Sequence, residues 1–257
     1  MQKIKILNVE FDNITKEEVL RSYDRGLLCT PNVDCIIKNH YIREYHEAYD
    51  KSGLILCDSR ILGLCAKLLP VSFKEVIPGS SFFSDFYIYH KDNPDIRIFL
   101  LGGLDGVAEK AKERINAKVG RKIVVGTYSP PFGFEKDEKE CQHIINLVDA
   151  SEATVLMTGI SDPKQTIWHA KYMDMFKTAR MFMALGATID FEAGNIRRAP
   201  KIIQKLALEW LFRFFCDPKR LYKRYFIDDP KFFWLFAKQL VGLYKNPFDP
   251  KEQSNRG

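Results

Sequence analysis

The chain has 257 residues, is 46% hydrophobic and carries a formal net charge of +6, which suffices for one large α/β core without disulfides or a structural metal. Its six cysteines (Cys29, Cys35, Cys57, Cys65, Cys141, Cys216) form no C-x-x-C pair and have no histidine at metal spacing, so zinc is not expected, and reduced thiols of a cytosolic protein are. No run reaches the roughly 20 apolar residues of a transmembrane helix, and MQKIKILNVEF is too short in its apolar part for a signal peptide, so any membrane contact should be peripheral.

From the N-terminus onward, short β-rich apolar runs alternate with segments of helical period. Strands are predicted at 4–9, 26–29, 54–57, 96–101, 122–127, 153–159 and 180–185, and helices at 15–24, 33–50, 59–69, 105–119, 135–150 and 163–175. The alternation implies an α/β fold with a mostly parallel sheet and helices on both faces. In helix 33–50, Val33, Ile36, Ile37, His40, Tyr41, Tyr45 and Ala48 form one apolar stripe, and His40 and His46 there read as structural or solvated.

Small or polar residues follow the apolar runs directly: Thr30 and Asn32, then Asp58, Gly102 and Gly103, Thr127 and Tyr128, Gly159, and Gly186. In a parallel sheet all of these reach the carboxyl edge, where open α/β folds bind ligands. Turn chemistry alone explains most of the glycines, but less well an acid at this edge. Asp58 either caps helix 59–69 or acts as a general base, its carboxyl raised by partial desolvation. Gly102, Gly103 and Gly106 miss the spacing of a dinucleotide loop, and no acid follows on a second strand, which disfavours a nicotinamide enzyme and a cofactor-dependent epimerase. There is no G-x-S-x-G elbow, no P-loop and no D-x-D pair to hold a metal–diphosphate complex, so neither cofactor nor metal is expected.

The last quarter of the chain differs in kind. From Arg197 onward there are 14 Lys and Arg against 6 Asp and Glu, while residues 1–196 have 25 against 27. Thirteen of the 33 aromatics lie between Trp210 and Phe248, a composition suited to anionic lipid, phosphate or nucleic acid. Arg213, Arg220, Lys223 and Arg224 are spaced to share a face, although Asp217-Pro218 points to two short helices rather than one. Guanidinium groups would suit a leaving diphosphate. A division into an α/β domain at 1–196 and a helical appendage at 197–257 is expected, with Phe232, Phe233, Trp234, Phe236 and Leu240 lying in a headgroup layer. A chain cut after about residue 196 should then stay folded with little activity. The rival from the tail alone is a non-enzymatic module in which cations track nucleic-acid phosphates and rings stack on bases.

The sequence resembles the WecG/TagA/CpsF group of bacterial glycosyltransferases over nearly its whole length. The likeness rests on T-P-N-V-D at 30–34, the Asp58 strand end, F-L-L-G-G at 99–103, G-I-S-D-P-K-Q at 159–165, G-A-x-x-D-F-x-A-G-x-x-x-R-A-P at 186–200 and L-E-W-L-F-R at 208–213. It implies a Rossmann-like variant and an inverting, metal-free transfer of an N-acetylmannosamine-like sugar from a UDP-sugar to a polyprenyl-diphosphate-linked acceptor. The setting implied is the inner face of the cell membrane, in cell-surface polysaccharide or teichoic acid synthesis, with a possible homo-oligomer and no nucleic acid. By position, Asp58 is similar to the general base, Thr30 and Asn32 to residues of the donor-sugar pocket, and Gln165 and Asp190 to residues holding donor hydroxyls or nucleotide. Arg213, Arg220 and Lys223 resemble the basic set facing the diphosphate, with Arg224 beside them, and Gly102, Gly103, Tyr128, Phe132 and Gly159 complete the expected substrate lining. The chain departs from the group at Thr166, at Val76 and Ser81 in V-I-P-G-S-S, and in GTYSPPFGF at 126–134, positions expected to set the donor.

Overall fold

The computed structural model describes residues 2–196, 199–200, 203 and 208–249. The expected start of the appendage at 197 and the arginine of R-A-P, Arg198, lie outside them. The first predicted strand, 4–9, is instead a hairpin of Lys3–Ile6 (β1) and Val9–Asp12 (β2), paired antiparallel with Ile4 opposite Phe11. The chain reverses at Leu7, whose φ is 55°, and Leu7 N–H donates to Gln239 Oε1 at 2.7 Å. A tail side chain thus holds a turn that no local signal marked.

Six strands form one parallel sheet: Gly26–Cys29 (β3), Leu54–Ile55 (β4), Ile98–Gly102 (β5), Val124–Tyr128 (β6), Val155–Gly159 (β7) and Met181–Ala184 (β8), in the order β4-β3-β8-β7-β5-β6. One rung runs Ile55, Cys29, Ala184, Thr158, Leu101, Tyr128, so the strands end nearly level and the segments after them share one edge. Alternate residues serve two cores. Leu27, Cys29, Phe99, Leu101, Leu156 and Phe182 face one, and Leu28, Ile98, Leu100, Val155, Met157 and Met183 the other. Burial of both faces is why these strands read as continuous apolar runs.

The first core is covered by Val33–Tyr41 (α2), Arg43–Asp50 (α3), Arg60–Ala66 (α4), Glu138–Ala150 (α7) and Lys164–Tyr172 (α8). The second is covered by Lys16–Ser22 (α1), Gly79–Tyr89 (α5), Val107–Val119 (α6) and Thr188–Ala193 (α9). The predicted helix 33–50 breaks at Ile42, which is extended (φ −113°, ψ 106°). Across the break buried Asn39 meets His46 Nδ1 at 3.1 Å, and the redirected α3 buries Tyr45 and Tyr49. Helix α5 was not expected, because its serines and aromatics are indifferent helix formers. Burial of Phe82, Phe83, Phe86 and Tyr87, all fully enclosed, supplies the stability that propensity lacks.

The tail forms helices Glu209–Cys216, Pro218–Lys223 and Pro230–Leu240, the last two joined by a π-helical turn at Arg224–Asp228. The break falls at Asp217-Pro218, as the proline requires. The five aromatic and leucine side chains expected in a headgroup layer divide. Phe232 and Phe236 are buried in the first core with Leu235, whereas Phe233, Trp234 and Leu240 are exposed. The α/β body therefore relies on residues far beyond 196 for its own packing. No helix among the described residues is long and apolar enough to cross a membrane.

Candidate active site

Asp58 lies three residues past β4, before α4. The capping position is Ser59, which makes no side-chain cap bond, and the Asp58 carboxylate turns to another segment. Its Oδ1 accepts the Gly79 N–H at 2.8 Å, while Ile77 N–H donates to Cys57 O at 2.7 Å, so the start of α5 is fastened alongside the strand end. Gly79 is the signal missed in the sequence. A Cβ there would collide with Thr30 Oγ1 and come within 3.0 Å of Leu185, so glycine is needed for close approach of Thr30, Asp58 and α5. Asp58 is half-buried. Burial pushes its carboxyl up, offset in part by the Gly79 N–H and by the charges of Arg213 and Arg224, while Glu209 adds to the rise.

The tail thus brings two cations, Arg213 and Arg224, to the edge where Asp58 sits, and both have partners. Arg213 donates from Nε and Nη2 to Glu209 Oε1 at 3.1 and 2.6 Å and lies over the Phe191 ring, 5.5 Å from its centre. Arg224 Nη2 donates to Asn32 Oδ1 at 3.0 Å, and its Nε is 3.8 Å from Asp34 and 3.9 Å from Asp229. Asn32 is also the N-cap of α2, accepting Cys35 N–H at 3.3 Å. Lys223 is exposed. Arg220 falls in its helix, and its side chain lies outside what the structure describes. Glu209, Asp34 and Phe191 were not singled out from the sequence, since each matters only through a residue distant in the chain.

At the middle of the edge, Gly102 and Gly159 are opposite each other in β5 and β7. A Cβ on Gly102 would be 2.8 Å from Gly159 O, and one on Gly159 2.6 Å from Ile189, so both are explained by close packing. Gly103, with φ +78°, would press on Val107 at 3.2 Å. Gln165 is buried, with Oε1 accepting from Ile160 and Gly186 N–H at 3.3 Å and Nε2 donating to Asp162 at 2.8 Å. It ties the loops after β7 and β8 together. Asp190 sits in the first turn of α9, and burial raises its carboxyl. Tyr128 ends β6 and donates to Glu140 Oε1 at 2.6 Å, while Phe132 is fully exposed beneath Lys164 Nζ at 4.5 Å. Tyr128 lies at the far side of the sheet, five strand spacings or ~24 Å from β4, and Phe132 lies against the start of α8, so the predicted residues do not converge on one point but line one long edge.

A half-buried carboxylate lies at the rim of the parallel sheet within the field of Arg213 and Arg224, at the edge where open α/β folds bind ligands. A family model described as "Glycosyl transferase WecG/TagA/CpsF family" matches residues 4–246, and the chain belongs to that family. It is a glycosyltransferase, so the non-enzymatic reading of the chain is overturned. Similar curated proteins include those of Staphylococcus aureus strains MRSA252 and NCTC 8325 / PS 47, each named N-acetylglucosaminyldiphosphoundecaprenol N-acetyl-beta-D-mannosaminyltransferase. Each is 25% identical over 229 residues, 85% of this chain and 87% of the relative.

Proposed function

We propose that the protein transfers an N-acetylmannosamine-like hexosamine, or a related hexose, from a UDP-sugar to a polyprenyl-diphosphate-linked acceptor at the inner membrane surface. Asp58 takes the proton of an acceptor-sugar hydroxyl as that oxygen attacks the anomeric carbon. The bond from that carbon to the UDP oxygen breaks on the opposite face, and configuration inverts. Thr30 and Asn32 border the sugar, and Arg213, Arg220 and Lys223 receive the charge growing on the departing diphosphate, a task that elsewhere falls to a metal ion. Arg213 reaches it by exchanging the Glu209 carboxylate for a phosphate oxygen. The observation that carries this reading is the Asp58 carboxylate fastened by Gly79 N–H under the charges of Arg213 and Arg224.

The acceptor class rests on the names of the relatives, and the departures at Val76, Ser81 and Thr166 and in the 126–134 loop leave the donor sugar to be found by screening UDP-sugars for thermal stabilisation. The test of the base is Asp58→Asn assayed on a lipid-linked acceptor. Turnover should fall by roughly 10²–10⁴ with UDP affinity kept. Near wild-type turnover in a folded variant would overturn the assignment.

A further inference from the structure

We propose that Arg224 is a positioning residue, a latch that holds the appendage over the carboxyl edge by binding the start of α2, rather than a ligand of the substrate. This rests on the transferase reading only for its effect on turnover. Its partners are all protein groups at one place: Asn32 Oδ1, Asp34 and Asp229. Asn32 is two residues past Thr30 at the end of β3 and caps α2, so Arg224 grips the rigid rim of the site itself, 192 residues away in sequence. Asp34 is further steadied by Lys38 Nζ at 2.8 Å, and Lys38 also donates to Asp162 O at 3.1 Å, which ties the same corner to the loop after β7.

The grip is transmitted to the cations. Tyr225 packs edge-on against Trp210 at 5.8 Å, and Phe226 against Phe214 at 5.3 Å. The turn that carries Arg224 therefore carries the helix Glu209–Cys216, and with it Arg213. That helix rests at its other side on Phe191 of α9 through the Arg213 guanidinium. The appendage thus spans from α2 to α9 with Asp58 between, and its α2 foot is Arg224. Arg224 Nε is buried and makes no hydrogen bond, with carboxylates 3.8 and 3.9 Å away, so a phosphate reaching it would have to approach past both acids.

The test is amide hydrogen exchange on the full chain without substrates, for the wild type, Arg224→Ala, Asp34→Asn and the double variant. Exchange in 209–216 should rise about tenfold in either single variant while strands Ile98–Gly102 and Val155–Gly159 keep their protection. The double variant should exchange no faster than Arg224→Ala alone, because Asp34 acts on that helix through Arg224. With a competent donor and acceptor, Arg224→Ala should lower kcat and leave the binding of free UDP unchanged, and Arg224→Lys should restore part of the protection. Unchanged exchange in 209–216, loss of UDP binding on Arg224→Ala, or equal loss of protection in the central strands would each overturn the latch. The exchange result stands even if no sugar transfer is found, so a failure of the reaction assignment is told apart from a failure of the latch.

Discussion

Asp58 and Asp229 show how burial sets the charge of single groups. Because burial holds the Asp58 carboxyl above its ordinary range, the rate should rise with pH along a limb lying above normal carboxylate titration, since only the ionised form takes a proton. For stability the sign is opposite. The folded state keeps this proton to higher pH than the unfolded chain, so the contribution is present at low pH and lost as pH rises. Asp58→Asn, which keeps an oxygen for the Gly79 N–H, should therefore melt no lower than the wild type at neutral pH while losing activity. Asp229 is the stronger case. Burial pushes it to about 6 despite the attraction of Arg224, with Asp34 and Asp228 adding to the rise and Lys38 opposing it. Its stability contribution is lost between the ordinary aspartate value and about pH 6. Melting curves from pH 4 to 8 should show Asp229→Asn gaining on the wild type through that window and level with it at the acid end. A constant difference across the range would refute the assignment.

Among the elements, Pro230–Leu240 has two opposed faces. Phe232, Leu235 and Phe236 are buried against the α/β body, and Phe232 and Phe236 stack at 5.6 Å. Gln239 fastens the N-terminal hairpin from the same helix, donating to Lys5 O at 2.8 Å and accepting from Leu7 N–H. Phe232→Ala should cost about 3–5 kcal/mol, the range for truncating a buried phenylalanine, as measured by urea denaturation. A loss below about 1 kcal/mol would show that the helix packs only loosely. For the same reason a chain ending near residue 196 loses part of the first core as well as its cations, so its inactivity would not by itself assign the appendage a catalytic role. Helix α9 similarly combines packing and site duties, since Ile189 fills the space left by Gly159 while Phe191 supports Arg213.

In the whole molecule, the cationic quarter is docked so that Arg224 meets Asn32 and Asp34 at the start of α2 while other basic and apolar groups remain outward. Phe215, Tyr222, Phe226, Ile227, Phe233 and Trp234 are exposed on the tail, with Lys238 Nζ 3.5 Å from the Trp234 ring centre. Such a surface suits the headgroup layer, where rings partition and lysines meet anionic lipid. The double variant Phe233→Ser, Trp234→Ser should bind anionic vesicles at least tenfold more weakly in sedimentation, with its melting temperature kept, since neither ring is in the core. Unaltered vesicle binding would remove this face from membrane contact.

Before any such test, the sequence by itself determined the layers and the place of the edge. Runs such as IFLL and VLMT, each closed by glycine, can only be strands buried on both faces and ended at a turn, and the charge imbalance after Arg197 is fixed by composition. Tertiary structure alone decided the rest: that 4–9 turns back on itself, that helix 33–50 breaks at Ile42, that Phe232 and Phe236 go inward, that Gly79 holds Asp58, and that Arg224 grips Asn32. The physical reason is range. Periodicity and turn chemistry act over a few residues, whereas the bonds that orient the carboxylate and seat the appendage join groups 21 and 192 positions apart, and nothing local encodes which distant partner a half-buried polar group will meet.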